Sequence, residues 1–472
     1  MKPRIFAPLA GPHIEGRSLI ANDQRCVNLY VKPEGPGGKT PAGLYRTPGL
    51  KYLVSAGPGP CRSNGVVFQD KAYFVSGNKL VAIDENFTGS EVGTLLTSQG
   101  RVSMARGWDH LLLVDSVAGY TYDGVTLTKI ADPDFPECDH ACWTGHHYIT
   151  AKRGTNQFYV SALNDPTSWF ALGFASAEAQ PDVLIVPWAF QGLLILMGDE
   201  TTELYRQTGN ADFPFDPVMG MVVEYGIHAP WSVATVDNFL FFLGKSANGG
   251  PVAMMATGQI PTPISTPDLE DTWRKYRTID NAVAFAYRQG GHTFYVITFP
   301  SGGETWCYDV TTGYWHQRSS YELGYHRAGG HVFFQDQHIL GDFENERFYT
   351  YDFDTYRDGD DPLVWIRRAP VICDPQGNRT MFFDRLELIV ETGLGLTTGQ
   401  GNDPQVMLRW TNDGKTWGNE LWRSMGKRGE YRTRVVWSRL GKGRHRVFEV
   451  SGSDPVPVAL LGANLEARLG AA

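Results

Sequence analysis

Three observations predict an all-β chain: apolar residues recur at every second position in the C-terminal stretch, trios of short apolar runs repeat along most of the chain, and the composition suits strands and turns. Aromatics form 12% of the 472 residues, and 53 glycines and 28 prolines favour short strands and tight turns over long helices. The architecture predicted is a β-propeller of about seven blades, with six to eight compatible, plus a terminal β-sandwich. The chain exceeds the size at which one hydrophobic core keeps growing, so more than one domain is expected.

Residues 1–60 read as an irregular, extended arm that forms part of a platform. Gly35-Pro36-Gly37-Gly38 and Thr47-Pro48-Gly49 set turns between short apolar pieces such as Cys26 to Val31. Residues 61–370 read as the propeller. Val66-Val67-Phe68, Ala72-Tyr73-Phe74-Val75 and Leu80-Val81-Ala82-Ile83 are separated by Gln69-Asp70 and Gly77-Asn78, giving three strands with two turns. Similar trios follow near Val102 to Tyr122, Cys142 to Val160, Val183 to Tyr205, Val233 to Met255, Val283 to Tyr308 and Val332 to Tyr351. Even spacing favours radial closure, which leaves only short exposed edges.

One segment breaks the rhythm. Thr266 can cap a helix, Pro267 suits its first turn, and Leu269, Trp273 and Tyr276 recur at helical spacing, so a short helix packed on the propeller rim is expected. The acidic run from Asp352 to Asp361 marks the exit from the last blade. Residues 371–472 return to longer alternating strands and read as a separate β-sandwich.

Within that last region Val406, Leu408 and Trp410 alternate, as do Val435, Trp437, Phe448 and Val450. Asn412-Asp413-Gly414 between the first strands predicts a tight hairpin, with Trp417 folding back over the turn. Basic residues crowd the same stretch and far outnumber Asp413, Glu420 and Glu430. The bland reading is the solvated face of a half-buried sheet; the functional reading is a face that meets an acidic partner. Arg432, Arg434, Arg439, Arg444 and Arg446 are the partner-binding candidates.

A net charge of −9 argues against a clamp that holds phosphates over its whole surface and does not exclude a passive conduit, whose wall should repel them. Met1-Lys2-Pro3-Arg4 opens no signal-peptide pattern, and no run of about 18 apolar residues occurs, so cytoplasmic synthesis without a membrane span is expected. The six scattered cysteines read as free thiols.

Catalytic and metal signals are weak, and no catalytic residue, metal or cofactor is expected. Cys138-x-His140-x-Cys142 with His146-His147 lacks the usual zinc spacing and a second ligand pair. The run from Asp352 lacks a bidentate glutamate at its twelfth position, which is Leu363. Gly244-Lys245-Ser246 lacks the upstream glycine of a phosphate loop. Asn412 to Trp417 resembles the Asp-box of sialidases, with Trp410 in place of its serine and Asn412 in place of its aspartate. Glu203 with Tyr205, or Glu224 with Tyr225, would have to supply the chemistry, and no spacing singles them out.

A wider resemblance runs almost end to end. It is carried by Asn28-Leu29-Tyr30, Thr47-Pro48-Gly49-Leu50, Gly100-Arg101-Val102-Ser103-Met104-Ala105, Gln180-Pro181-Asp182, Thr202-Glu203-Leu204 before Thr208-Gly209, Gly226-Ile227 and Ile264-Ser265-Thr266. It continues with Leu408-Arg409-Trp410, Asp413-Gly414, Arg432 to Arg439 and Asp454-Pro455-Val456. In these segments the chain resembles the packaged-DNA stabilisation proteins of short-tailed bacteriophages, which form the tail nozzle or hub.

The resemblance implies a structural virion protein of the tail, assembled in the host bacterial cytoplasm as a homo-hexamer below the portal and its adaptor (head-to-tail connector) ring. Tail fibre or spike proteins and tail needle proteins are the further implied partners. Genomic double-stranded DNA would pass through the lumen without sequence-specific binding. Such a ring closes the channel after packaging and forms the conduit for ejection. Two other readings stand beside it: a carbohydrate-active, sialidase-like propeller enzyme, and a monomeric propeller interaction scaffold.

Overall fold

Strand trios that the sequence spaces evenly fold as consecutive antiparallel sheets. The computed structural model describes residues 4–7, 9–177, 182–210, 213–245, 249–374 and 379–470. Gln180 and Pro181 of the resemblance, and Ser246, lie outside them. Internal packing divides the chain into two units, one of Tyr52–Gly302 with Arg327–Tyr351, the other of Met1–Lys51, Gly303–His326 and Asp352–Ala472.

The first unit holds seven successive sheets. Four have four strands each, beginning at Val66–Phe68, Ser103–Arg106, Ala141–Thr144 and Leu184–Phe190. The fifth is built on Phe239–Lys245 and Pro251–Ala256, the sixth on Val283–Gln289 and His292–Phe299, and the seventh on Ala328–Phe334, Gln337–Asp342 and Arg347–Asp352. Hairpins fix the register. The turns at Gln69-Asp70 (φ 43° and 57°) and Gln335-Asp336 (φ 48° and 58°) place two consecutive residues in the left-handed region, whose twist matches that of the flanking strands.

Each sheet buries one face against the next, and the series closes on itself. Tyr73 meets Tyr122 between the first and second blades, and Phe158 meets Tyr205 between the third and fourth. Phe241 stacks on Tyr295 between the fifth and sixth, and Phe285 on His331 between the sixth and seventh. Phe348 of the seventh packs on Phe74 of the first with ring centroids 4.9 Å apart. A seven-bladed propeller is the result, as the trios predict. The helix forms as expected over Pro267–Trp273: the Thr266 hydroxyl accepts from the Leu269 N–H, and buried Trp273 stacks on Phe299.

Burial in this unit also sets a pH response. His140, with its ring centroid 4.1 Å from that of Trp231, is pushed down to about 4, and His331, against His338, to about 3, because burial disfavours the charged ring. A histidine held below its unfolded value contributes stability that is present above pH ~6.5 and lost as pH falls towards its folded value. Melting of the chain should therefore drop between pH 7 and 4.5, by on the order of 2 kcal/mol per histidine. His140→Gln should flatten part of that slope, and an unchanged slope would contradict the assignment.

The second unit is a sandwich. One sheet runs in the order Leu29–Pro33, Ala42–Arg46, Ala459–Leu469, Met381–Val390, Val435–Ser438, with Arg4–Ala7 along Ala459–Leu469. In the other, Trp365–Arg368, His445–Gly452, Gln405–Thr411 and Leu421–Ser424 lie side by side. Met381, Phe383, Leu386 and Leu388 of one sheet meet Val406, Leu408, Phe448 and Val450 of the other in a common core. The irregular arm expected over residues 1–60 is corrected here: Leu29–Pro33 and Ala42–Arg46 are ladder strands, and Leu29, Val31 and Leu44 are buried in that core.

Candidate docking surface

The cationic stretch sits on strands whose inward side chains leave little choice of face. Val435 and Trp437 are buried, which turns Val436 and Ser438 outward on an edge strand. That edge is tied to the edge of the opposite sheet. Trp437 Nε1 donates to Leu421 O at 2.9 Å, and Arg423 Nε donates to Val436 O at 2.9 Å. The strand Leu421–Ser424 turns Trp422 outward, and the connection from 425 to 434 exposes Tyr431, which are 52% and 69% accessible. Exposed aromatic and arginine side chains together are the composition of a binding hot spot.

The five predicted arginines do not act alike. Arg432, Arg439 and Arg444 are exposed, and none has a carboxylate partner among the described residues. Arg432 lies in the connection before Val435–Ser438, and Arg439 and Arg444 lie beyond its far end, so they bracket the edge strand. Arg434 is exposed but forked onto Glu387, at 2.7 and 2.8 Å, which holds its charge against the sheet.

Arg446 is a correction. It is 1% exposed, with its guanidinium 4.1 Å from the Phe383 ring centroid and its N–H groups donating to Asn412 Oδ1, Leu440 O and Lys442 O. Burial lowers it to about 10, so it stays protonated inside the sandwich at neutral pH. It is an internal strut and no part of the surface. The parity of the strand carried the signal, since Arg446 shares its face with Phe448 and Val450.

The features weighed for chemistry are spent on structure. The connection from Asn412 to Glu420 is longer than the tight hairpin expected, because Leu408 pairs with Leu421 and the strands separate beyond them. Asp413 accepts from the N–H groups of Thr416 and Lys415 and from the Thr411 hydroxyl, which holds its carboxyl well below the usual range. Trp417 packs on two arginines. Its ring carries the guanidinium groups of Arg409 and Arg368, at 4.8 and 5.2 Å, both of which also bind buried Glu449.

Tyr205 donates to Glu203 in the core between the third and fourth blades. Cys138 and Cys142 point into two different inter-blade cores, and no group of three metal-binding side chains is present among the described residues. Asp352 accepts from the Asp354 N–H, and buried Asp358 accepts from the Ser320 hydroxyl at 2.6 Å. No helix among the described residues is long and apolar enough to cross a membrane.

What remains is a propeller and a sandwich, the latter bearing an edge on which Arg432, Arg439 and Arg444 have no carboxylate partner among the described residues. The chain belongs to the family described as bacteriophage P22 Gp10, beta-propeller, whose model matches residues 21–356. A second model, bacteriophage P22 Gp10, beta-sandwich, matches residues 365–468. The tail hub protein gp10 of Salmonella phage P22 is 25% identical over 439 residues, covering 85% of this chain and 87% of that protein. Membership gives the chain a structural role in a phage tail hub.

Among solved structures, the Neurospora crassa Pan2 WD40 domain is similar at TM-score 0.40 and 10% identity, covering 62% of this chain and 89% of that one. The WD40 propeller of Doa1 is similar at TM-score 0.38 and 12% identity, covering 64% and 97%.

Proposed function

We propose that six copies of this chain form a ring below the portal and its adaptor ring, close the DNA channel after packaging and serve as the conduit for ejection. The propeller is the nozzle wall in this reading, and the N-terminal residues with the terminal sandwich are the platform that docks. Tail needle and tail fibre or spike proteins are the further partners, and the assembled tail of the virion is its place. The observation that carries the reading is the charge pattern. An acidic chain keeps Arg432, Arg439 and Arg444, with Trp422 and Tyr431, unpaired on one edge of the sandwich, while the net charge of −9 gives passing phosphate no general hold.

Purified protein mixed with portal–adaptor particles and imaged by negative stain tests this. A six-fold ring on the adaptor is expected, and its occupancy should fall as salt rises, because exposed charges are screened. The triple charge reversal Arg432→Glu, Arg439→Glu, Arg444→Glu should abolish docking and leave the melting temperature within about 2 °C of the parent, as surface substitutions do. Undiminished docking by the triple variant would remove this edge from the interface. A protein that stays monomeric beside the particles would remove the ring itself.

A further inference from the structure

Residues from all seven blades line an axial cavity of about 260 Å³, and its lining includes one arginine, Arg101, and no acid. Arg101 to Met104 form part of this wall, so a stretch that carries the family resemblance faces a space to which the hub role assigns nothing. Arg101 is poorly satisfied there. Among the described residues it donates from Nη1 to Gly329 O at 2.8 Å and pairs with no carboxylate, and its Nε is sealed from solvent without a partner.

Its neighbours add no negative charge. Arg62 is buried close by and spends its own guanidinium on Gly77 O, Thr97 O and Gly100 O. Burial pushes Arg62 down and the charge of Asp115 offsets part of that, whereas no carboxylate supports Arg101 and burial pushes it down to about 10. It remains a cation at neutral pH, in a cavity walled by low-dielectric side chains that strengthen any attraction to an anion.

The remaining walls are flat. Trp231 lies under the Arg101 guanidinium at 6.0 Å and against the neutral ring of His140 at 4.1 Å, and Phe285 and Trp188 also line the space. A cavity of roughly 150 Å³ lined by apolar side chains already accommodates a benzene ring, so this one has room for a ring with a charged substituent. From the lone charge, the incomplete hydrogen bonding and the aromatic walls, we infer that the propeller axis is a binding site for a small organic monocarboxylate with a flat apolar body, gripped by Arg101. The guanidinium N–H groups not used by Gly329 O donate to the carboxylate in a charge-assisted hydrogen bond, and the rings take the apolar face.

Benzoate and its neutral isostere benzamide are the probes, titrated calorimetrically against the full chain. Benzoate should bind at least tenfold more tightly than benzamide, and Arg101→Gln should erase that ratio and leave benzamide unchanged. Arg428→Gln, a surface cation outside the cavity, should preserve it. Equal affinities of the native chain for the two probes, no saturable benzoate binding, or a ratio retained in Arg101→Gln would overturn the site. Location is read independently of any variant: para-bromobenzoate soaked into crystals should place its bromine on the propeller axis by anomalous scattering, and a bromine found only elsewhere would overturn the assignment. The result does not depend on ring formation, so failure here leaves the hub role standing, and failure of docking leaves this site standing.

Discussion

Arg46→Met should destabilise the sandwich unit by about 4 kcal/mol, enough to separate its unfolding from that of the propeller in a calorimetric scan. Arg46 is 3% exposed and donates to four carbonyls, those of Asp454 (2.7 Å), Val456 (3.0 Å), Tyr356 (3.3 Å) and Leu363 (2.5 Å). Truncation strands those acceptors in the core, where each orphaned group costs about 1 to 3 kcal/mol. Part of the loss is offset, because burial already lowers Arg46 to about 10 and the substitution removes that desolvation cost. Methionine fills similar volume, so a drop of this size reports the hydrogen bonds rather than a void. A transition unmoved by more than a few tenths of a kcal/mol would mean that the latch contributes nothing.

The same latch explains several segments that carry the family resemblance. Asn28, with φ 53° and 1% exposure, donates from its amide to Ser319 O and Val364 O and accepts from the Ser319 N–H. Gly49 brings its backbone so close to Arg357 that an added Cβ would lie 2.4 Å from the Arg357 carbonyl oxygen. Asp454-Pro455-Val456 supplies two of the carbonyls that Arg46 holds. Residues far apart in the chain thus fix one another in a single unit, and no local pattern announces that.

Arg446→Met is the second substitution with a large expected effect, about 3 kcal/mol of destabilisation, with Arg446→Lys failing to restore it. Lysine keeps the charge but lacks the fork that reaches Asn412, Leu440 and Lys442 while stacking on Phe383. Thermal unfolding of the two variants against the charge reversal at Arg432, Arg439 and Arg444 separates the roles. The internal strut should lower stability, and the surface residues should lower docking alone. Equal stability of Arg446→Met and the parent would return Arg446 to the list of surface candidates.

The propeller was legible because each blade repeats a local signal. A short apolar run such as Leu111–Val114 or Phe239–Lys245, bounded by turn residues, needs no knowledge of distant contacts. Thr266, Pro267 and Trp273 announced their helix for the same reason. The N-terminal strands were hidden by the glycines and prolines that punctuate them, and the strand that ties their hairpin into the sheet lies more than 400 residues away, at Leu460 and Ala459. The docking edge was legible as a cluster of charge but not as a surface. Composition could not tell exposed Arg444 from buried Arg446 two positions on; the difference is that Arg444 precedes the strand His445–Gly452 while Arg446 lies on it, on the side of Phe448 and Val450.

Electron microscopy of particles assembled without this protein tests the hub role most directly. If the chain closes the portal channel, heads should package DNA and then lose it, leaving empty capsids without the terminal tail density, and supplying the protein should restore filled heads. Full, stable heads in its absence would contradict the account.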